Sequence, residues 1–539
     1  MSIFQTVKAQ RPKRNVFDLS HEKKLTMNMG DLVPMFMQEV VPGDTFKLNT
    51  EMLMRFMPLV SPVMHRINVF THFFFVPNRL IWNEWQDFIT GGEDGQSMPA
   101  FPVINFTYDS DLFRKGSLWD YLGLPVIPDG VNVDHSQHVS SLPFRAYQMI
   151  YNEYYRDQNF ANTKVDFGIG SGQIDYLEAE ELLTLRKRCW EKDYFTSALP
   201  FAQRGGDVML PLQGSAPVVS DKDWNPTGQG AGIEIFQRNP PGGVTSGVDY
   251  SPSGPGAASG RLTTASGALQ YRDGSLEVDL SEASQTTVSE FRRAVKLQEW
   301  LERNARGGSR YIEQILSHFG VMSSDARLQR PEYLGGGKAP VVISETLQTS
   351  STDATTPQGN MAGHGISVGN THGFKRFFEE HGFIIGIMSV LPRTAYDNCL
   401  PRVYSKFDKF DYYFPEFAHI GEQPVYNREV SYLHSLAQIG ATTNADEINN
   451  TVFGYQSRYA EYKYVPSTVH GEMHDTLSFW HLARKLPPAP PNNAEFVSSQ
   501  DVRHDIFAVE DASEHKLVVQ LYNNCRALRP LPYFSSPRL

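Results

Sequence analysis

The chain has 539 residues, 42 glycines, 34 prolines, 20 % charged and 12 % aromatic residues, and a formal net charge of −11. Those values fit a globular, loop-rich, β-dominated protein. They exclude a membrane span, since no run of about 18 apolar residues occurs, and they argue against a general coat for nucleic acid, which would be basic. The N-terminus lacks the apolar stretch of a secretory signal. Cys189, Cys399 and Cys525 are far apart and odd in number, which fits neither a disulfide framework nor a zinc pattern but suits a reducing cytoplasm.

Residues 1–24 carry Lys8, Arg11, Lys13, Arg14, Lys23 and Lys24 against Asp18 and Glu22, with little strand or helix pattern before Phe17. They read as a basic arm. Phosphate binding by such an arm is independent of base sequence and weakens with salt. Strands follow. Met35, Phe36 and Met37 form an apolar stretch between Pro34 and Pro42. After a turn at Pro42-Gly43-Asp44, Phe46 and Leu48 alternate with Thr45, Lys47 and Asn49, the period of a half-buried strand. The run from Ile67 to Val76 is apolar on both faces: Ile67, Val69, Phe73 and Phe75 on one, Phe70, Phe74 and Val76 on the other. Such a strand must be covered on both sides, by a second sheet and by helices. Ile81, Trp82, Trp85, Phe88 and Ile89 predict the covering helix, ended by Gly91-Gly92.

From Gly91 to about Ser220 no single period holds, and long excursions between core strands are expected. The spacing of Leu177, Leu182, Leu183, Leu185 and Trp190, acidic early and basic late, predicts a short helix over 177–190. Residues 221–286 hold eleven glycines and five prolines in 66 positions, and apolar residues recur at no period. This reads as an exposed excursion, and loops of that length are usually functional or disordered. Trp224, Ile233, Ile235 and Phe236 stand out in it as candidate contacts, because apolar side chains in an exposed loop suggest burial against a partner. Local packing within the loop is the alternative. A helix then starts at a capping box of Thr287 and Glu290 and runs through Val288, Phe291, Ala294, Leu297 and Leu301 to Gly307-Gly308. A second holds Ile312, Ile315, Leu316 and Phe319. This pair is expected to pack outside the sheets. Phe383 to Leu391 reads as a fully buried strand, Tyr455 to Tyr464 as a further alternating run, and Leu517 to Tyr522 as the last strand. A Pro-rich tail follows.

Chemical motifs are weak. Gly365-Ile366-Ser367-Val368-Gly369 has the letters of a nucleophile elbow without the strand before it and helix after it. His470 and His474 share a helical spacing, but no third ligand is evident. Gly168 to Gly172 lacks a βαβ frame. No catalytic, cofactor-binding or metal-ligating residue is nominated.

Three stretches carry a resemblance: Ser61-Pro62 with Met64 through Trp82, Tyr462 through Gly471, and Ala527 through Phe534. In them the chain resembles the major capsid proteins of microviruses, in particular the gokushovirus branch of small bacteriophages with circular single-stranded DNA. The resemblance runs from near Phe17 to the C-terminus apart from the variable middle. It implies an all-β fold, an eight-stranded antiparallel jelly roll with long insertions and a few short helices. The expected order is a basic arm (1–24), a first part of the jelly roll (25–220), an insertion (221–286), and a helical pair with the remaining strands and C-terminal arm (287–539). It further implies sixty copies in a T = 1 shell with two-, three- and five-fold contacts, assembled in the bacterial host cytoplasm. Other implied partners are a small basic DNA-packaging protein, pilot and scaffolding proteins, and a host surface receptor engaged by the insertion. No cofactor is implied. Lys8, Arg11, Lys13 and Arg14 would face the DNA. A β-sandwich that binds or degrades glycans remains the alternative, and would need two carboxyls across a groove.

Overall fold

The computed structural model describes residues 13–93, 96–105, 111–128, 131, 138–160, 163–174, 176–206, 208, 218–220, 235–239, 243–245, 249–252, 260–263, 268–271, 276–278, 288–308, 310–347, 349, 361–370, 373–440, 444–511 and 513–533. The chain divides into two compact units. One is Gly205–Leu301; the other joins Met1–Arg204 to Glu302–Leu539.

The larger unit is built on eleven strands: β1 (Asn15–Asp18), β2 (His21–Met27), β3 (Val33–Val40), β4 (Thr45–Phe56), β5 (Ile67–Pro77), β6 (Glu332–Pro340), β7 (Val342–Leu347), β8 (Met361–Asn370), β9 (Phe374–Phe377), β10 (Gly382–Pro392) and β11 (Leu517–Arg529). They form two antiparallel sheets. In the first, β11 lies between β4 and the consecutive pair β1 and β2; β4 carries β8 and β9 on its other edge, and β7 pairs β8. In the second the order is β6–β5–β10–β3.

Strict alternation fixes the first sheet. Along β4, Phe46, Leu48, Thr50, Met52, Met54 and Phe56 point inward, and along β11 so do Leu517, Val519, Leu521, Asn523, Cys525 and Ala527. The register sets these residues directly opposite, Phe46 against Ala527 through Phe56 against Leu517. A one-residue slip would expose the whole set. The single polar pair on that face is satisfied, the Thr50 hydroxyl donating to Asn523 Oδ1 at 2.8 Å.

The second sheet is covered twice, as the two-faced β5 requires. Its inner residues, among them Ile67, Val69, Phe73, Phe75, Met388 and Val390, share one core with the inner face of the first sheet. Phe378, just after β9, bridges the sheets, its ring centroid 5.9 Å from Phe46 and 4.6 Å from Phe75. On the outer face, Phe74, Val76, Phe383, Ile385 and Ile387 pack with Ile81, Trp82, Trp119, Phe144, Tyr147 and Ile150. The helix Leu142–Ile150 is the centre of this layer. It is tied down through backbone carbonyls: Tyr147 Oη donates to Leu32 O (2.8 Å), Arg145 Nη1 to Ile81 O (3.1 Å) and Gly170 O (2.9 Å), and Gln148 Nε2 to Leu182 O (2.8 Å). Loops without a period are thus held by buried side-chain donors. This is how the unreadable stretch after Gly91 becomes a second layer.

Several expectations are corrected. The helix expected over Ile81 to Ile89 breaks into Asn78–Ile81 and Trp85–Thr90, closed by Gly91 at φ 82°. Ile81 and Trp82 are buried against β5, whereas Phe88 and Ile89 are exposed; only the first turn has a sheet beneath it. The helix expected over 177–190 stops at Leu183. The late basic residues are used elsewhere: Arg186 bonds Glu181 and Gln148, Lys187 pairs Asp31, and Arg188 lies 3.9 Å over the Phe70 ring. The run from Tyr455 ends as a strand at Ser457, because Tyr459 turns the chain at φ 63°. The helices Val288–Gly307 and Tyr311–Phe319 form as read, and an Asn304–His318 hydrogen bond (2.7 Å) joins them. The second does not bury its apolar stripe: Tyr311, Leu316 and Phe319 stay open to solvent. Thr287 lies outside the described residues.

In Gly205–Leu301, short strands replace the patternless excursion. Ile235–Asn239 pairs Gly243–Thr245 and Ala268–Tyr271, Asp249–Pro252 pairs Gly260–Thr263, and Val218–Ser220 pairs Leu276–Val278. Strands of three to five residues are too short to display a period of two.

Candidate interaction surfaces

Of the basic residues named in the arm, Lys8 and Arg11 lie outside the described residues. Lys13 and Arg14 are exposed. The Arg14 guanidinium sits 5.2 Å over the Phe377 ring, at the edge of the first sheet. The pattern expected from Phe17 starts at Asn15, whose Nδ2 donates to Leu531 O at 2.7 Å, and Phe17 stacks on Tyr533 at 5.7 Å. Lys23 and Lys24 belong to β2, and Lys23 is mostly covered, its ammonium donating to Pro34 O and Tyr121 O. Burial pushes that ammonium down to about 8.

Asp44 anchors this edge. Its carboxylate is fully covered, accepts the Val41 N–H at 3.0 Å, and faces Arg529 Nε at 3.2 Å. Burial raises its proton affinity, opposed by the Val41 bond, Arg529 and Arg14. A buried carboxylate needs such cations.

Trp224 and Ile233 lie outside the described residues. Ile235 and Phe236 begin the strand Ile235–Asn239, facing Tyr271 and Gln270 in backbone register; their side chains lie outside the description.

A surface not singled out in the sequence is rich in exposed apolar side chains. Between Phe407 and Phe417 six of eleven residues are aromatic. Phe410 and Phe417 sit on 3-10 turns at Lys409–Asp411 and Pro415–Phe417, and the other four lie on irregular chain between and before them, so no periodicity announces them; aromatic density alone is the available signal. Phe407 and Val465 are each 90 % exposed and Tyr404 71 %, with Tyr412, Tyr413, Tyr462 and Tyr464 about half exposed. The ridge is nevertheless well fixed. Tyr413 packs on Tyr459 and Tyr462 with centroids 5.0 and 6.3 Å apart, and Tyr459 Oη donates to Tyr412 O at 3.2 Å. The Asp411 carboxylate accepts N–H groups of Asp408 and Phe407, both at 3.0 Å, which hold it below the ordinary aspartate range. Lys406 Nζ lies 3.9 Å from the Tyr462 ring centroid and 3.1 Å from Glu461. Burial alone would depress that ammonium, but these contacts carry it above the usual lysine value. A rigid, wet aromatic ridge is the composition of a protein-binding surface.

The chemical motifs have structural roles. Ser367 lies inside β8, buried, and donates to Pro340 O at 3.0 Å. His474 pairs Asp397, and His470 contacts Thr468 Oγ1 at 2.8 Å. Among the described residues no group of three or more His, Cys, Asp or Glu is placed to hold a metal, and no helix is long and apolar enough to cross a membrane.

Two antiparallel sheets around one core, with a fixed aromatic ridge left open to solvent, define a structural β-sandwich protein that works through its surfaces. The chain belongs to the phage capsid family: the family model described as "Capsid protein (F protein)" matches residues 2–539. It is 37 % identical over 590 residues to capsid protein VP1 of Chlamydia phage 1, 32 % over 541 to that of Bdellovibrio phage phiMH2K, and 30 % over 561 to that of Spiroplasma virus 4. Each alignment covers 99 % of this chain and 97 % of the relative. The protein is therefore a capsid component of a virion, not an enzyme, and the glycan-degrading alternative falls away.

Proposed function

We propose that this chain is the subunit of a T = 1 icosahedral shell in which sixty copies enclose a circular single-stranded DNA genome. The observation that carries the reading is the open ridge from Tyr404 to Phe417 with Tyr462 to Val465, where Phe407 and Val465 are each 90 % exposed beside five tyrosines at least half exposed, a surface of the kind that marks a protein contact. A closed shell repeats each contact under rotational symmetry, so the ridge meets a different patch of its neighbour about a three- or five-fold axis and its own copy about a two-fold axis. The sheets are an eight-stranded jelly roll. Support comes from the orders β2–β11–β4–β8 and β3–β10–β5–β6, in which the last strand of each sheet inserts between two early ones.

The division into 1–24, 25–220, 221–286 and 287–539 serves that assembly. Lys8, Arg11, Lys13 and Arg14 face the DNA, alongside a small basic packaging protein that offsets the −11 charge of the shell subunit. Pilot and scaffolding proteins complete assembly in the host cytoplasm. Residues 221–286 engage the host receptor through Trp224, Ile233, Ile235 and Phe236. Electron microscopy with a nuclease-protection assay, on material from cells making the chain with its phage partners, tests the reading. Uniform closed particles with protected single-stranded DNA are expected; small soluble oligomers that protect nothing would overturn it. Replacing 221–286 by a short Gly-Ser linker is expected to leave particles intact and to abolish adsorption to host cells. Unchanged adsorption would remove the attachment role.

A further inference from the structure

Beside the end of β10 the loops at Met64–Arg66, Arg393–Ala395 and Ser467–Met473 enclose a recess of about 340 Å³. Its walls are rigid. Arg393 N–H donates to Arg66 O (2.9 Å), Tyr396 N–H to Ser467 O (2.9 Å), Val469 N–H to Tyr396 O (3.2 Å) and Met64 N–H to Trp480 O (2.7 Å). His65 donates its Nε2 hydrogen to Arg393 O at 2.7 Å, and buried His481 is bonded at both ring nitrogens, to Met473 O and from Ala483 N–H.

What lines the recess is unusual for an acidic chain. No carboxylate does so. The guanidinium groups of Arg66 and Arg393 are exposed there, and among the described residues neither has an ion-pair or hydrogen-bond partner. Neighbouring cations are spoken for: Arg503 holds Asp505 through Nε (3.0 Å) and Nη2 (2.6 Å). Of the acids nearby, Glu472 on the third loop is exposed and does not line the recess, and Asp397 just past the second is engaged by His474. The hydroxyls of Ser467 and Thr468 lie at the same wall, that of Thr468 already 2.8 Å from His470 Nε2, and Met64, Val469 and Met473 give an apolar side. Two unpaired planar guanidiniums with hydroxyl donors match a tetrahedral oxyanion with several acceptor oxygens.

We propose that this recess binds a phosphate ester, its phosphate clasped between Arg66 and Arg393 and its carbon portion lying on the methionine side. The ester is either a free nucleotide or one linked residue of a nucleic-acid strand; the recognised chemistry is the same. It shares no lining residue with the basic arm or with the aromatic ridge.

Calorimetric titration of the full chain at low ionic strength tests this with thymidine monophosphate, inorganic phosphate and unphosphorylated thymidine. The monophosphate is expected to bind, inorganic phosphate to compete with it, and thymidine to show no binding. Arg66→Gln and Arg393→Gln are each expected to weaken the monophosphate at least tenfold while melting within a few degrees of the parent chain. An octathymidylate then separates the two sources: tighter binding than the monophosphate, lost in the same variants, assigns the recess to a strand, and equal binding assigns it to a free nucleotide. Folded variants that bind the monophosphate as the parent does would overturn the proposal. So would variants that keep binding but lose self-association, because the guanidiniums would then serve a neighbouring chain's carboxylate.

Discussion

His72 shows how much a single residue's role depends on the finished fold. Its ring lies on the outer face of β5, with Nδ1 2.8 Å from Tyr155 Oη, a residue 83 positions later. Burial first, then the nearby Arg188 charge, push its pKa down to about 4. The unfolded chain therefore takes up a proton near pH 6.5 that the folded chain refuses until about 4. The stabilisation is complete above pH 6.5 and disappears as the pH falls toward 4. Between pH 7 and pH 5 the unassembled chain should lose about 2 kcal/mol from this group alone, measurable by denaturant titration at both pH values. His72→Gln should flatten that slope; an unchanged slope would assign it to other groups. Asp44 and Arg529 make a second residue-scale case. Arg529→Met leaves the covered carboxylate without its nearest cation and should cost about 3 kcal/mol. Asp44→Asn in the same chain should recover most of the loss. The sequence displays Pro42-Gly43-Asp44 as a turn, but the cation that serves it lies 485 positions away and has no local signature.

At the scale of elements, legibility follows burial geometry. Half-buried β4 and β11 have a period of two and can be read, as can the fully apolar β5 and β10. The helices ending at Gly308 and Gly320 announce themselves through apolar spacing and left-handed glycines at φ 99° and 68°. What could not be read is what side-chain donors hold in place. The layer on the outer face of the second sheet depends on Arg145, Tyr147 and Gln148 meeting carbonyls far along the chain, which no periodicity encodes. The aromatic ridge, on short 3-10 turns and irregular chain, likewise has no period to read. Two substitutions probe the doubly covered sheet. Trp82 is fully buried and its indole N–H donates to Ser171 Oγ at 2.7 Å; Trp82→Ala should cost about 3–5 kcal/mol in denaturant unfolding. Gly386 faces Phe73 and Phe36 so closely that an added Cβ would stand 2.8 Å from Phe73 Cε1 and 3.0 Å from Phe36 Cβ. Gly386→Val should lower the yield of folded chain. A variant as stable as the parent would mean that β10 and β5 are not packed this tightly.

At the scale of the whole molecule, the two sheets satisfy themselves and the ridge does not. Subunit stability and assembly should therefore separate. Phe407→Ser combined with Val465→Ser removes two side chains that touch solvent almost completely. Surface changes of this kind typically alter stability by about 0.5 kcal/mol or less, yet particle yield should fall sharply on density gradients. Equal yields would show that the ridge is not a subunit contact. The resemblance in Met64 to Trp82, in Tyr462 to Gly471 and in Ala527 to Phe534 points to the capsid class, and of these only the first is largely a buried core strand. Which exposed face meets a neighbour is set by a second chain, and no single sequence displays it. The most direct measurement is a cryo-electron microscopy reconstruction of the purified particle, with copies counted and the ridge located. Sixty copies are expected, with Phe407, Tyr412, Tyr413 and Val465 buried between adjacent subunits. A closed shell in which those four side chains remain open to solvent would contradict this.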